Sequence, residues 1–119
     1  MYTPQVLDHF QHPRNAGELP DATARVEVTN PVCGDILQLA ARLENGVVAA
    51  VRFKTSGCVP AIAAGSLLTE LMQGRRLEEL RAITEEKISA SLGGLPPTSH
   101  HAAQLTVDAL RALLAELRQ

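Results

Sequence analysis

Apolar positions along the chain follow two different periods, first of two residues and then of a helical turn. Residues 24–29 alternate Ala24, Val26 and Val28 with Arg25, Glu27 and Thr29, the signature of a strand with one buried face. Residues 36–43 place Leu37, Leu39, Ala41 and Leu43 on one side, and residues 47–55 place Val47, Ala49, Val51 and Phe53 on one side. Asn45-Gly46 separates these two runs, and that dipeptide suits the positive φ angles of a tight hairpin turn. Consecutive short strands joined this way predict an antiparallel meander.

After Cys58 the pattern turns helical. Pro60 is tolerated in a first turn, Ile62, Leu67, Leu68 and Leu71 follow, and Gly74 is a C-terminal stop. Residues 77–82 and 84–91 read as two short helices, the second capped by Thr84. Gly93-Gly94-Leu95-Pro96-Pro97 reads as a loop. Ser99 or Thr98 then caps a long final helix whose Leu105, Leu110, Leu113, Leu114 and Leu117 form an apolar stripe. At the other end, residues 3–11 form a short helix, with Thr3 as cap, Pro4 in the first position, and Val6, Leu7 and Phe10 as its apolar face. Strands followed by helices predict an α+β fold: a three-stranded antiparallel sheet with helices packed on one face and a long C-terminal helix. With no internal repeat, linker or low-complexity stretch, residues 1–119 read as a single domain.

Composition narrows the class. The chain is 45% apolar and 20% charged with no tryptophan, which suits an aliphatic core. A net charge of -2 gives no electrostatic footprint for nucleic acid. No apolar run reaches the length of a membrane span. The N-terminus lacks the pattern of a signal peptide, so a cytoplasmic, reducing location is expected, which argues against a Cys33–Cys58 disulfide.

Cys33 and Cys58 are the only cysteines. Cys33 precedes Gly34 and Asp35 in a loop entering the second strand. In extended chain Cys33 and Asp35 point the same way, so thiolate and carboxylate can converge on one ion. Cys58 follows Gly57 at a helix start, where backbone N–H groups favour thiolate. His100 and His101 lie in the first turn of the last helix, about 100° apart around its axis, so one of them faces any given site. Two thiols, a carboxylate and an imidazole make a metal-ligand set. Taken singly, each has a plainer reading: core thiols, a turn aspartate, solvent-exposed histidines. No nucleophile–base–orienter constellation is evident, so a non-enzyme is expected, with no catalytic residue.

The motifs themselves are more specific. The opening Tyr2-Thr3-Pro4-Gln5-Val6-Leu7-Asp8-His9-Phe10-Gln11-His12-Pro13-Arg14-Asn15-Ala16-Gly17, then Cys33-Gly34-Asp35, Phe53-Lys54-Thr55-Ser56-Gly57-Cys58, Ala61-Ile62-Ala63, Leu95-Pro96-Pro97 and His101 occur in one order. In that order the chain closely resembles the IscU/NifU N-terminal family of iron–sulfur cluster assembly scaffolds. The resemblance implies that a [2Fe–2S] cluster or iron is assembled here and passed to acceptor apo-proteins, with a cysteine desulfurase supplying sulfur. It implies Cys33, Cys58 and His101 as ligands with Asp35 beside the metal, and zinc as an alternative occupant of the same site.

The chain departs from the family in three places. A third cysteine normally follows the histidine, and Ala102 stands there. His100 occupies a position that is usually apolar and becomes a candidate replacement ligand if the helix start rotates. The family's Leu-Pro-Pro-Val-Lys segment reads Leu95-Pro96-Pro97-Thr98-Ser99, which weakens the expectation that an Hsp70-type chaperone docks there. Three readings follow: a divergent scaffold with mixed ligation, a zinc-binding protein, and a regulatory protein that docks a desulfurase without building a cluster.

Overall fold

The computed structural model describes residues 2–117. Its strands are β1 (Ala24–Thr29), β2 (Ile36–Glu44) and β3 (Val47–Ser56), in the order β1-β2-β3 and antiparallel throughout. Its helices are α1 (Pro4–Gln11), α2 (Val59–Met72), α3 (Glu85–Ser91) and α4 (His100–Leu117). The meander and the α+β layering agree with the sequence pattern. Asn45 and Gly46 both adopt positive φ at the β2–β3 turn.

The core face of β2 carries Leu37, Leu39 and Ala41, all buried. On β3 the buried residues are Val48, Val51 and Phe53, so the expected alternation from Val47 and Ala49 shifts by one residue. The cause is a bulge. Arg42 pairs with Ala50 but Leu43 pairs with Val48, leaving Ala49 as the extra residue. The end of α2 binds the bulged segment: Val48 N–H donates to Arg75 O (2.8 Å), Gly74 N–H donates to Val48 O (2.9 Å), and the Gln73 side chain donates to Ala49 O (2.8 Å).

α2 is buried almost all round because β3, α1 and α4 all pack against it. α4 lies against β1 and β2, and its Leu105, Leu110, Leu113 and Leu114 enter the core. α1 differs from expectation. Val6 is buried, but Leu7 and Phe10 are exposed, and the second buried residue is His9. The α1–α2 interface explains this, for it is polar. His9 Nδ1 lies 2.7 Å from Ser66 Oγ, which also accepts the Arg14 N–H (2.8 Å). Burial, chiefly, holds the His9 imidazole below its usual pKa, with the Arg14 charge adding to the effect.

Two further differences are local. Leu77–Ala82 is a 3-10 segment rather than an α-helix, and Thr84 caps α3 as expected by accepting the Lys87 N–H (3.1 Å). Pro97–Ser99 forms a 3-10 turn that runs straight into α4, so the helix begins on the Ser99 N–H to Pro96 O bond (2.8 Å) in place of a side-chain cap. No helix among the described residues is long and apolar enough to cross a membrane.

Candidate metal centre

The ends of β2, β3, α2 and α4 meet at one end of the sheet. The segment Asn30–Asp35 joins β1 to β2 there, and Asn30 organises it from a buried position. Its Oδ1 accepts the N–H groups of Val32 (2.9 Å) and Cys33 (3.3 Å). Its carbonyl accepts the Gly34 N–H (2.8 Å), and its own N–H donates to Asp35 O (2.8 Å). A short amide side chain that folds back onto following N–H groups is the usual way such turns are fixed. Gly34 takes φ +77°, where a side chain would be strained. The result sets Cys33 on the exposed tip and turns Asp35 inward, where it is only 9% exposed.

Gly57 has a different reason to be glycine. A Cβ there would sit 2.7 Å from Asp35 Cγ and 2.8 Å from its Oδ2. Its absence lets the end of β3 close onto the carboxylate. Cys58 comes next, as the cap residue of α2 in extended conformation. Its N–H points at Asp35 Oδ2 (3.4 Å), and its Sγ lies 3.3 Å from the same oxygen and 3.6 Å from His101 Nε2. Donor atoms of Cys33, Asp35 and His101 all lie within 4.8 Å of one another. Asp35 and His101 are therefore shared: Cys33 approaches them from one side and Cys58 contacts them from the other.

The electrostatics at Cys58 run opposite to the sequence expectation. Burial pushes its thiol above the ordinary value, and the neighbouring Asp35 adds to this. The amide N–H groups of Ala61 and Cys58 act the other way but are outweighed. A divalent cation between thiol and carboxylate reverses that balance, because it favours both anions at once.

His100 does not join the group. It is exposed and lines a separate hollow with Glu85, Glu86 and Ser89 of α3. Ala102 is fully buried in the core. A turn of about 100° per residue sends three consecutive side chains three ways: His100 toward α3, His101 toward the site, Ala102 inward. Asn30 and Gly57 differ in how far the sequence signals their roles. The Asn-Pro pair ahead of Cys-Gly-Asp is a turn signal for the first, whereas Gly57 is explained only by a contact across strands.

The separations around Cys58 suit one metal ion. Metal–donor bonds of about 2.0–2.3 Å place neighbouring corners of a tetrahedron about 3.3–3.8 Å apart. The Cys58–Asp35 and Cys58–His101 separations of 3.3 and 3.6 Å fall in that range. Soft thiolates with one imidazole and one carboxylate suit zinc or iron better than magnesium or calcium.

A family model of the NifU-like N-terminal domain matches residues 1–119. The chain belongs to that family. It is 40% identical over 116 residues to the iron–sulfur cluster assembly scaffold protein IscU 1 of Archaeoglobus fulgidus, covering 98% of this chain and 76% of that protein. It is 40% identical over 121 residues to the iron–sulfur cluster assembly scaffold protein IscU of Haemophilus influenzae, covering 98% and 95%. The mitochondrial iron sulfur cluster assembly protein 2 of Saccharomyces cerevisiae is 37% identical over 123 residues, covering 99% and 78%. The crystal structure of a nitrogen-fixing NifU-like protein (N-terminal) from Brucella abortus superposes with a TM-score of 0.80 at 18% identity, covering 98% and 93%. That structural likeness concerns the fold alone.

Proposed function

We propose that this NifU-like chain is an iron–sulfur cluster assembly scaffold, with iron or a transient [2Fe–2S] cluster as cargo on Cys33, Cys58 and His101 beside Asp35. The observation that carries the reading is the convergence of these donors in a chain 40% identical to named scaffolds over nearly its full length. Imidazole can replace thiolate on an iron–sulfur cluster, so a set with fewer cysteines remains competent for iron. Asp35 offers oxygen where a tighter holder would offer sulfur, which favours release. In this reading a cysteine desulfurase supplies sulfur, acceptor apo-proteins take the product, the location is cytoplasmic, and the chain performs no catalysis of its own. Anaerobic reconstitution with ferrous iron and sulfide tests it. Charge-transfer absorption bands lost in Cys33→Ala support the scaffold, and their absence under every reconstitution condition overturns it.

A second reading has its own observation. The short spacing around Cys58 fits a single tetrahedral ion, so zinc occupies the same donors, as a resident ion or ahead of iron. Metal analysis of protein purified without added metal tests this, with one equivalent of zinc as the supporting result.

A further inference from the structure

The sheet face turned away from the helices carries a hollow that shares no residue with the metal centre. Its floor follows from register. Arg25 on β1 pairs with Ala40 on β2, and Ala40 pairs with Arg52 on β3. Cross-strand partners stand on the same face, so this row places two guanidinium groups on either side of a methyl. The next row, Glu27, Gln38 and Lys54, runs beside it. Ala40 is too short to fill the gap between the arginines. Together with Leu19 and its neighbours, these rows enclose an open hollow of about 400 Å³.

The charges around the hollow are unevenly satisfied. Lys54 pairs with Glu18 at 2.6 Å, and Glu27 accepts from the Gln38 amide at 2.8 Å. Glu18 also feels the Arg25 charge, though less than that of Lys54. The two arginines form no ion pair among the described residues. They are tethered instead by uncharged oxygens. Arg25 donates to Leu19 O (2.9 Å), and Arg52 Nη1 donates to Val51 O (2.7 Å) and Asn15 Oδ1 (3.4 Å). Such tethers position a guanidinium while leaving most of its N–H donors unspent. At Arg52 the tethers both use Nη1, so the Nε–Nη2 edge that grips a carboxylate side-on stays free.

Separation selects the ligand class. Adjacent strands lie about 4.8 Å apart, so the Arg25 and Arg52 backbones are about 10 Å apart across Ala40. Arg25 is anchored on Leu19 O, and Arg52 separately on Val51 O and Asn15 Oδ1, so a ligand with two separate anionic groups meets both guanidinium groups without breaking these tethers. Two carboxylates joined by a short carbon chain supply them, with the chain resting on Ala40. We propose that this hollow binds a small polycarboxylate, one carboxylate on each of Arg25 and Arg52.

Isothermal titration calorimetry of the full chain with tricarballylate tests the site. That probe carries carboxylates without the hydroxyl that makes related acids strong metal chelators. Saturable one-to-one binding at physiological salt is expected, weakened at least tenfold in Arg25→Gln and in Arg52→Gln, and lost in Ala40→Leu, which fills the gap. Arg25 is exposed on the edge strand, so its variant keeps the test open if Arg52→Gln disturbs the Asn15 contact. No saturable heat with the parent protein overturns the proposal, as does binding unchanged in the Arg25→Gln and Ala40→Leu variants. Inorganic phosphate binding as tightly as tricarballylate overturns the ligand class. A hexaglutamate peptide binding tenfold more tightly also overturns it, by assigning the hollow to an acidic segment of a partner protein.

Discussion

The two thiols of the candidate metal centre are held in opposite ways. Cys33 rides on a loop tip beside Val32, which is 92% exposed, and a single buried asparagine sets its position. Cys58 sits where a strand ends and a helix begins, half-buried, with Asp35 and His101 both in contact. One side of the donor set is fixed by packed elements, and the other is open to solvent and to any partner that approaches. A carrier of cargo needs both properties: a side that holds the ion and a side from which it can be reached.

Ligand deletions give the largest expected difference between the two sides. Cys58→Ala is expected to weaken zinc binding more than Cys33→Ala, and both by more than the roughly 10–100-fold that loss of an outer partner costs a metal site. Water can take the place of an exposed ligand, as it does in open zinc sites, but not that of a ligand wedged between a carboxylate and an imidazole. Competition against a chromophoric chelator measures both. Equal losses would break the comparison.

The two glycines sharpen it next. Gly57→Ala drives a methyl into the Asp35 carboxylate and is expected to cost about 1–3 kcal/mol of stability, the range for overpacking. Gly34→Ala meets open space, and its cost is the left-handed backbone, about 1–2 kcal/mol. Urea denaturation of both variants, and of Gly57→Ala in an Asp35→Ala background, separates clash from strain. If removing the carboxylate brings no recovery in the Gly57 variant, the close approach is not what limits that position.

Asn30→Ala is a smaller perturbation. It removes the acceptor for two backbone N–H groups beside Cys33 and is expected to cost about 1 kcal/mol. Zinc affinity should fall through Cys33 alone. The distinguishing readout is alkylation at Cys58, which stays at the parent rate in this variant. A change there would mean that the loop and the packed side are coupled.

The gentlest probe leaves the protein intact. In metal-free protein, iodoacetamide is expected to modify Cys33 at least tenfold faster than Cys58, followed by peptide mass spectrometry. Thiolate is the reactive form, and burial beside Asp35 holds the Cys58 thiol above its ordinary value. Cys58 reactivity should therefore keep climbing as pH rises through and beyond the usual thiol range. A plateau at neutral pH would show a thiolate already present and reverse the assignment.

Much of this arrangement is legible along the chain, for reasons that differ by element. The strands read correctly because a sheet with one covered face imposes a period of two on its side chains, and α4 read correctly because its leucines meet the sheet at helical spacing. The phase of β3 did not read, because the bulge at Ala49 is stabilised by Gly74, Gln73 and Arg75 from the end of α2. The face of α1 did not read either. Its apolar residues suggest Leu7 and Phe10 as the contact, but the surface that α2 offers there carries Ser66, which suits His9. At the site, the residue types pointed to a metal. The sign of the Cys58 shift did not follow from its place at a helix start, because desolvation and the carboxylate outweigh a few amide groups.

By itself, the sequence determined the α+β layering, the hairpin, the family, and the identity of the candidate donors, because these depend on local period, turn chemistry and residue type. Which donors meet depends on how the elements pack. Packing turns His101 toward Cys58, sends His100 to α3 and buries Ala102, since the roll of α4 about its axis is set by leucines packing on the sheet rather than by the histidines at its start. The close approach of Gly57 to Asp35, and the gap that Ala40 leaves between two arginines, likewise exist only once strands are in register.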